Sequence, residues 1–245
     1  MTNWSDEFDG PAGTPPDTTA WTFVDNQPPG GGNNELEYYI PEGSALDGQG
    51  RLAITARRDK GTYSAWYGPS QFTSGKIWTR GKVAFKYGHV EVRAQIPQAG
   101  SPGAWPAIWM MGEDLPDVGW PKCGEIDIME SFGIQGSKVT FSSALHTPTD
   151  NPAQNYTLPA TNDLTQYHNF ALDWQPTVLS FSVDGHTYWT VHKSDFRTWP
   201  FDKPFFLILN YAVGGQMGGN IPADAPLPYV MNVSYTKVFN SEITR

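Results

Sequence analysis

The chain of 245 residues is short of cysteine and of basic side chains. Its single cysteine, Cys123, excludes an internal disulfide, and we interpret it as a small packing residue because no nearby histidine supports a nucleophile. With 16 Lys and Arg against 25 Asp and Glu, the formal net charge is −9, and no basic run forms a stripe. These deficits argue against nucleic acid and anionic membranes as partners.

Long apolar runs are also missing from the sequence. No stretch approaches the ~20 apolar residues that span a bilayer. Polar sequence follows Met1 directly, in place of a signal peptide. This pattern fits a cytoplasmic protein or an extracellular one whose signal peptide has been removed, and we expect the second. No repeat of fixed period is visible, which argues against solenoids and propellers.

Glycine, proline and aromatic residues are plentiful instead. The 25 glycines and 21 prolines are scattered along the whole length and leave little room for a long helix. The ten tryptophans exceed the needs of a core of this size, and aromatic faces suit the apolar faces of sugar rings. We expect one domain over residues 1–245, built from many short strands, and a monomer.

Three stretches show the patterns of strands. Residues 89–96 alternate apolar and polar side chains, which predicts a strand with one buried face. Residues 179–183 alternate likewise, and the Asp-Gly pair at 184–185 predicts a tight hairpin into the next strand. Residues 205–213 are apolar on both faces except at Asn210, which predicts a central strand. An all-β sandwich of two antiparallel sheets satisfies all three patterns.

Segment 125–130, with the sequence Glu-Ile-Asp-Ile-Met-Glu, is the most informative part of the chain. In a strand, Glu125 and Asp127 share one face while the isoleucines enter the core. Glu130 breaks this alternation and would point into the core. Because a buried unpaired carboxylate is costly, we predict a β-bulge near Ile128 or Met129 that returns Glu130 to the acidic face.

This geometry suits the hydrolysis of a glycosidic bond. Two glutamates so placed can bring their carboxyls to within ~5.5 Å, the separation that retaining glycosidases use. Glu125 would then be the nucleophile and Glu130 the acid and base, while Asp127 orients Glu125 and keeps Glu130 protonated. The alternatives are a solvated acidic face and a calcium site, although one strand rarely wraps six oxygens around an ion.

Segment 124–130 resembles the motif of glycoside hydrolase family 16, in the six-residue form typical of its laminarinases. Further stretches that resemble the family cover nearly the whole chain, at residues 4–10, 33–39, 74–76, 87–88, 105–110, 119–121, 146, 167–170, 174 and 210–215. The resemblance implies a jelly-roll β-sandwich whose concave sheet forms an open substrate cleft. It also implies retaining, extracellular endo-hydrolysis of β-1,3-linked glucans such as laminarin.

The resemblance also assigns roles to single residues. Glu125 resembles the family nucleophile, Asp127 the assisting acid and Glu130 the acid/base. Seven others resemble positions that contact substrate or lie beside the acids: Asn33, Arg80, Trp105, Trp109, Trp120, His146 and Asn210. The competing interpretations are core packing for each tryptophan, a surface salt bridge for Arg80 and a structural hydrogen bond for His146. For His168 we favour a structural role.

A departure from the family pattern concerns calcium. Many bacterial relatives join the N-terminal segment to the last strand through a calcium ion, held in part by an acid near the C-terminus. Here Ser234 stands at that position and supplies no charge. We expect a weak calcium site at Glu7 and the Gly43 carbonyl, or none, and no cofactor that catalysis requires. No histidine pair has the spacing of a zinc site.

Other activities remain open at the level of sequence. Mixed-linkage β-1,3-1,4-glucan, agarose and carrageenan are alternative substrates, although sulfated galactans favour a basic cleft that this acidic chain does not offer. Transfer of the sugar to an acceptor other than water would use the same covalent intermediate. A non-catalytic β-glucan-binding protein is the alternative of another class.

Overall fold

A computed structural model describes residues 2–27 and 31–244 of the chain. The strands are short, as the spread of glycine and proline predicts. In chain order they are β1 Thr2–Asp6, β2 Thr22–Phe23, β3 Glu37–Tyr39, β4 Ser44–Leu46, β5 Leu52–Arg58, β6 Ser64–Ala65, β7 Gly68–Pro69, β8 Phe72–Ser74, β9 Lys76–Trp78, β10 Ala84–Lys86, β11 Gly88–Gln95, β12 Ala104–Gly112, β13 Glu125–Glu130, β14 Thr140–His146, β15 Ala153–Thr157, β16 His168–Gln175, β17 Val178–Val183, β18 His186–His192, β19 Phe205–Val213, β20 Tyr229–Phe239 and β21 Glu242–Thr244.

Helical turns are few and short. The α-helical turns are α1 Gly31–Asn34, α2 Leu115–Val118 and α3 Gly215–Gly218, and the 3₁₀ turns are Pro41–Gly43, Gly133–Gln135 and Lys193–Asp195. Backbone angles at Gly32 and Asn33 are not helical, so α1 is better described as a pair of turns. In the part of the chain that the structure describes, no helix has the length and apolarity needed to cross a membrane.

Two sheets form the sandwich. The first runs in the order β18-β17-β16-β11-β20-β5-β8-β3, with β1 paired to β20 and β4 to β5. The second runs β15-β14-β13-β12-β19-β10-β21, with β9 paired to β19 and β2 to β9. Pairing is antiparallel apart from β3 with β8, which is parallel. The predicted all-β jelly-roll sandwich of two antiparallel sheets is confirmed, with that one exception.

The strand predictions from alternation are confirmed. Val90, Val92 and Ala94 are fully buried on one face of β11. The turn between β17 and β18 has positive φ at Asp184 (50°) and Gly185 (76°), as a tight hairpin of this type requires. Strand β19 lies inside the second sheet, and all nine of its residues are buried.

The core lies between the two sheets and supports the second one from beneath. Apolar side chains of β12, β13 and β19, such as Ile108, Ile126 and Leu207, point into it and are completely buried. Each such side chain contributes roughly 1.5–3 kcal/mol by leaving water. Because side chains alternate along a strand, the residues between them project from the opposite face of the second sheet. That outer face carries the predicted site.

Candidate active site

The predicted bulge is present in β13. Asp127 pairs with Trp109 of β12 and Met129 pairs with Ile108, so Ile128 has no partner across the strand pair. Ile128 and Met129 are consecutive, yet both point into the core, with 1% and 0% of their surface exposed. An extra residue of this kind resets the alternation. Strand β13 therefore directs its three acids to one face.

The bulge leaves a buried backbone carbonyl, which another side chain satisfies. The Ser143 hydroxyl on β14 donates a 2.7 Å hydrogen bond to the Ile128 carbonyl oxygen. Ser143 is itself completely buried, so this bond is shielded from water. An unsatisfied carbonyl here would cost about 1–3 kcal/mol. The hydroxyl thus holds the kink that turns Glu130 outward.

Each of the two glutamates accepts a hydrogen bond from the indole N–H of a tryptophan. Trp120 Nε1 donates to Glu125 Oε2 at 2.6 Å, and Trp105 Nε1 donates to Glu130 Oε1 at 2.9 Å. The two tryptophans differ in exposure, since Trp120 is 57% exposed and Trp105 only 8%. Trp105 packs in a small cluster with Phe132, apart from the main core. Both tryptophans thus lie beside the acids, and neither belongs to the main core.

Asp127 lies between the glutamates and is 3% exposed. Burial, followed by the charges of Glu125 and Glu130, raises the pKa of Asp127 well above its ordinary value. The protonated acid can donate to Glu125, with which it shares a hydrogen bond. His146 Nε2 lies 3.1 Å from Asp127 Oδ2, as the sequence led us to expect. That contact lacks hydrogen-bond alignment, and Asp127 Oδ2 has no aligned donor among the described residues.

Glu130 has the proton affinity of a general acid that works near neutrality. Burial raises its pKa to about 7, the charge of Glu125 adds to the rise, and the Trp105 hydrogen bond opposes it. A carboxyl with such a pKa is protonated in a large share of molecules at pH 7, and it loses that proton readily. Burial thus favours the protonated forms of two carboxyl groups, Asp127 and Glu130, which lie beside the third, Glu125.

Asn210 and Trp109 are joined to each other on this face. The Trp109 indole donates to Asn210 Oδ1 at 2.7 Å, and Asn210 Nδ2 donates to the Tyr39 hydroxyl at 2.9 Å. Asn210 is only 6% exposed. Its amide is thus engaged within the protein, and it fixes the orientation of the Trp109 ring. A contact between Asn210 and substrate stays a prediction.

Arg80 and Asn33 lie further from the acids. The Arg80 guanidinium carbon lies 5.6 Å from the ring centre of Trp78 and 5.8 Å from that of Phe206, a cation–π arrangement. Among the described residues Arg80 forms no salt bridge. Asn33 is exposed, and its backbone N–H donates to the Glu35 carboxylate. No contact in the described ranges joins Asn33 to the acidic face, so its role in binding stays a prediction.

Sequence reasoning missed Glu37, a buried acid on β3. Its side chain is 2% exposed, and its Oε2 accepts a 2.7 Å hydrogen bond from the backbone N–H of Val213. Burial raises the pKa of Glu37 to about 8. Glu37 and Tyr39 share a strand face, so Glu37 lies next to the chain of hydrogen bonds that runs from Trp109 through Asn210 to Tyr39. The alternation Glu-Tyr-Tyr could have revealed this face.

The residues offer two places for a metal, and neither is well suited to one. The ligand atoms of Glu125, Asp127 and His146 lie within 4.8 Å of one another. However, burial raises the pKa of Asp127 and favours its neutral form, and the Trp120 N–H occupies one oxygen of Glu125, so the donor set is poor in charge. Metal ligands must be deprotonated.

The predicted calcium ligands each have another close neighbour. Glu7 Oε1 lies 3.0 Å from Lys237 Nζ. The Gly43 carbonyl packs against Gly75, so closely that a Cβ on Gly75 would lie 2.3 Å from it. A weak calcium site at these residues, or none, stays a prediction.

Cys123 and His168 have the structural environments that we expected. Cys123 is completely buried, and burial raises the pKa of its thiol to about 11, which makes it a poor nucleophile. His168 is 2% exposed on β16, in the first sheet. Its ring nitrogens lie 2.7 Å from Asp184 Oδ2 and 2.9 Å from the Asp163 carbonyl oxygen. Both interpretations are confirmed.

Comparison with known proteins points to one family. Residues 38–225 match the family model described as glycosyl hydrolases family 16. The chain is 36% identical to a beta-glucanase of Rhodothermus marinus, over 96% of this chain and 84% of that protein. It is 32% identical to the glucan endo-1,3-beta-glucosidase A1 of Niallia circulans, over 98% of this chain but only 38% of that protein.

A solved structure shows the same fold. The catalytic domain of an endo-1,3-beta-glucanase (laminarinase) from Thermotoga petrophila superimposes with a TM-score of 0.89 at 36% identity. The match covers 100% of this chain and 98% of that one. At this identity and coverage, the likeness extends over the whole sandwich, including both sheets.

Proposed function

Because this chain belongs to glycosyl hydrolases family 16, we propose that it hydrolyses internal β-1,3-glucosidic bonds of laminarin-type glucans and retains the anomeric configuration. One observation carries the proposal. The bulge at Ile128 places Glu125 and Glu130 on one face of β13, and Glu130 has a pKa of about 7. The pair thus contains one group suited to attack and one suited to donate a proton.

The first half of the reaction forms a covalent intermediate. Glu125 attacks the anomeric carbon of the sugar, and the bond from that carbon to the leaving oxygen breaks. Glu130 donates its proton to the leaving oxygen at the same time. In the second half, Glu130 accepts a proton from water as the water attacks the anomeric carbon, and Glu125 is released. Both groups return to their starting states.

Residues next to Glu125 and Glu130 control the charge and the orientation of these two side chains. The protonated Asp127 and the Trp120 indole both share hydrogen bonds with Glu125, and they hold its carboxylate in place. Once Glu125 becomes an ester its charge is gone, which favours the ionised form of Glu130 for its turn as base. His146, 3.1 Å from Asp127, supports that residue from the side of β14.

A neutral glucan fits the side chains of this face best. Aromatic rings of Trp105, Trp109 and Trp120 offer platforms for sugar rings. Arg80, stacked on Trp78 and Phe206, is poorly placed to form the basic cleft that a sulfated galactan favours. Similarity to beta-glucanases and to a laminarinase supports this choice. We further propose that the protein acts outside the cell, as a monomer, and that catalysis needs no cofactor.

Replacement of Glu125 by Ala tests the mechanism. The variant should lose hydrolysis of laminarin, and azide should restore turnover of an activated β-glucoside with inversion of configuration, because azide fills the space of the missing carboxylate. Glu91→Ala is a matched control, since Glu91 lies on β11 in the other sheet. Unimpaired hydrolysis in the Glu125→Ala variant would remove Glu125 from the mechanism.

The substrate is tested by chromatography of the sugars released from laminarin, lichenan, agarose and carrageenan. We expect oligosaccharides of several lengths from laminarin at early times, as internal cleavage requires. Release from agarose or carrageenan alone would reject the glucan assignment. Binding of laminarin without release of sugars would indicate a binding protein instead, and longer products at high substrate concentration would reveal transfer to sugar acceptors.

A further inference from the structure

Lys76 lies on the same face as the acids, but the mechanism above gives it no role. It begins β9 and pairs with Asn210 of β19, the residue that orients Trp109. Strand β9 is three strands away from β13 across β19 and β12, about 14 Å at ~4.8 Å per strand. Lys76 therefore lies on the same face as the acids, to one side of them.

Three aromatic rings surround the Lys76 ammonium. Its nitrogen lies 4.9 Å from the ring centre of Trp109, 5.5 Å from Tyr39 and 5.7 Å from Trp78. Each distance is within the range in which the face of an aromatic ring attracts a cation. The rings fix the position of the nitrogen, but they do not accept conventional hydrogen bonds from its three N–H groups.

The ammonium lacks an oxygen partner among residues 2–27 and 31–244, since no hydrogen bond or salt bridge joins it to an acceptor there. Burial lowers the pKa of Lys76, while the charges of Glu37, Glu125 and Glu35 act in the opposite direction and favour the charged form. A half-buried cation with unsatisfied donors is costly. A ligand rich in oxygen acceptors would offset that cost.

We propose that Lys76 is a substrate-positioning residue whose ammonium donates hydrogen bonds to hydroxyls of the glucan segment that lies against Trp109. The proposal rests on the proposed function, because it takes a glucan as the ligand. A sugar stacked on Trp109 would bring its ring hydroxyls to the same edge as the ammonium. The three-ring cage holds the ammonium before binding, so little conformational entropy is lost when the hydrogen bonds form.

The position of Lys76 predicts which kinetic constant it controls. A contact to sugar away from the reacting carbon is equally strong in the bound substrate and in the transition state, so its loss raises KM and leaves kcat nearly unchanged. We expect Lys76→Met to raise KM for laminarin about tenfold, with kcat within about twofold, because a charged hydrogen bond of this kind contributes roughly a factor of ten. Lys76→Arg should recover part of the loss.

Lys237→Met is the matched control. Lys237 also lies over an aromatic ring, 4.2 Å from the centre of Tyr235, but on β20 in the other sheet. This variant should keep the KM and kcat of the unmodified protein. Thermal unfolding of each variant separates a loss of binding from a loss of fold, and Lys76→Gln replaces Lys76→Met if the latter does not fold.

A binding measurement separates this proposal from the proposed function. Titration of a laminarin oligosaccharide into Glu130→Gln, with and without Lys76→Met, reports affinity when hydrolysis is impaired. A tenfold weaker affinity with Lys76→Met supports the proposal, whether or not the unmodified protein cuts laminarin. Equal affinity, or a fall in kcat at unchanged KM, overturns it while leaving the hydrolase assignment intact. Absence of laminarin hydrolysis by the unmodified protein overturns the proposed function instead.

Discussion

The indole Nε1 of Trp105 donates a 2.9 Å hydrogen bond to Oε1 of Glu130. This bond favours the ionised carboxylate, while burial favours the protonated acid, and together with the charge of Glu125 they bring the pKa of Glu130 to about 7. Trp105 therefore has two functions in the proposed site. Its ring is proposed to stack on a sugar, and its indole N–H affects the pKa of Glu130.

Replacement of Trp105 by Phe should shift the pH profile of the enzyme. Loss of a hydrogen bond of about 1 kcal/mol raises the pKa of Glu130 by about 0.7 units. The basic limb of kcat/KM, which reports loss of the proton from the essential acid in the free enzyme, should move to higher pH by that amount. Trp189→Phe, on β18 of the other sheet, is the control. A basic limb that stays in place would contradict this role of Trp105.

Two substitutions of Asp127 should differ in their effect on kcat. Asp127→Asn keeps a neutral group that can donate to Glu125, whereas Asp127→Ala removes the donor. Removal of one donor that acts on developing charge costs roughly 10²–10³ in kcat. We expect kcat for laminarin to fall by about 10² in Asp127→Ala and by about tenfold in Asp127→Asn. Equal losses in the two folded variants would show that the hydrogen bond is not the important property.

Glu37→Gln should change how stability depends on pH. The pKa of Glu37 rises from its ordinary value of 4.5 to about 8 in the folded protein, so the folded state binds more protons than the unfolded state between these values. The contribution of Glu37 is fully present below pH 4.5 and is lost as the pH rises through 8, by up to about 1.4 kcal/mol per pH unit. Glutamine cannot ionise, so the Glu37→Gln variant should not lose stability in this way as the pH rises.

The measurement is the melting temperature of both proteins between pH 5 and pH 8. The unmodified protein should lose stability relative to Glu37→Gln as the pH rises over this range, because the buried carboxyl must ionise. Glu91→Gln serves as the control for the loss of a carboxyl from the other sheet. Parallel curves for the unmodified protein and Glu37→Gln would show that Glu37 has a similar proton affinity in both states.

Removal of calcium should leave the melting temperature unchanged. Glu7 is paired with Lys237, the Gly43 carbonyl packs against Gly75, and Ser234 supplies no charge. A ligand that binds only the folded state raises its melting temperature, so scans with EDTA and with added calcium report binding directly. A rise of several degrees with calcium would restore the proposed site or reveal another one.

The sequence predicted the fold where local patterns are strong. Alternation over residues 89–96, the Asp-Gly turn at 184–185 and the apolar run over 205–213 each correspond to observed elements. The bulge in β13 could also be predicted, because an acid out of register with its neighbours has to be either buried or turned. Each of these features was predicted from the pattern of about ten consecutive residues.

Contacts between distant residues were beyond such reasoning. Asn210 was expected to face the substrate, but its amide links Trp109 to Tyr39, residues that are 70 apart in the chain. Lys76 belonged to a motif that resembles the family, yet its surroundings depend on β3, β9 and β12, which belong to two sheets and meet only in the folded protein. Glu37 was not expected to be buried, because a charged residue in a strand is usually solvated.

The extra residue in β13 has a mechanical consequence for the site. Ile128 and Met129 give the strand two adjacent anchors in the core where regular alternation would allow one. Any tilt of Glu130 toward or away from Glu125 would have to dislodge a side chain from close-packed surroundings, which resist small displacements. Packing in the hydrophobic interior thereby fixes the separation of the Glu125 and Glu130 carboxyl groups. A bound sugar has to fit that separation.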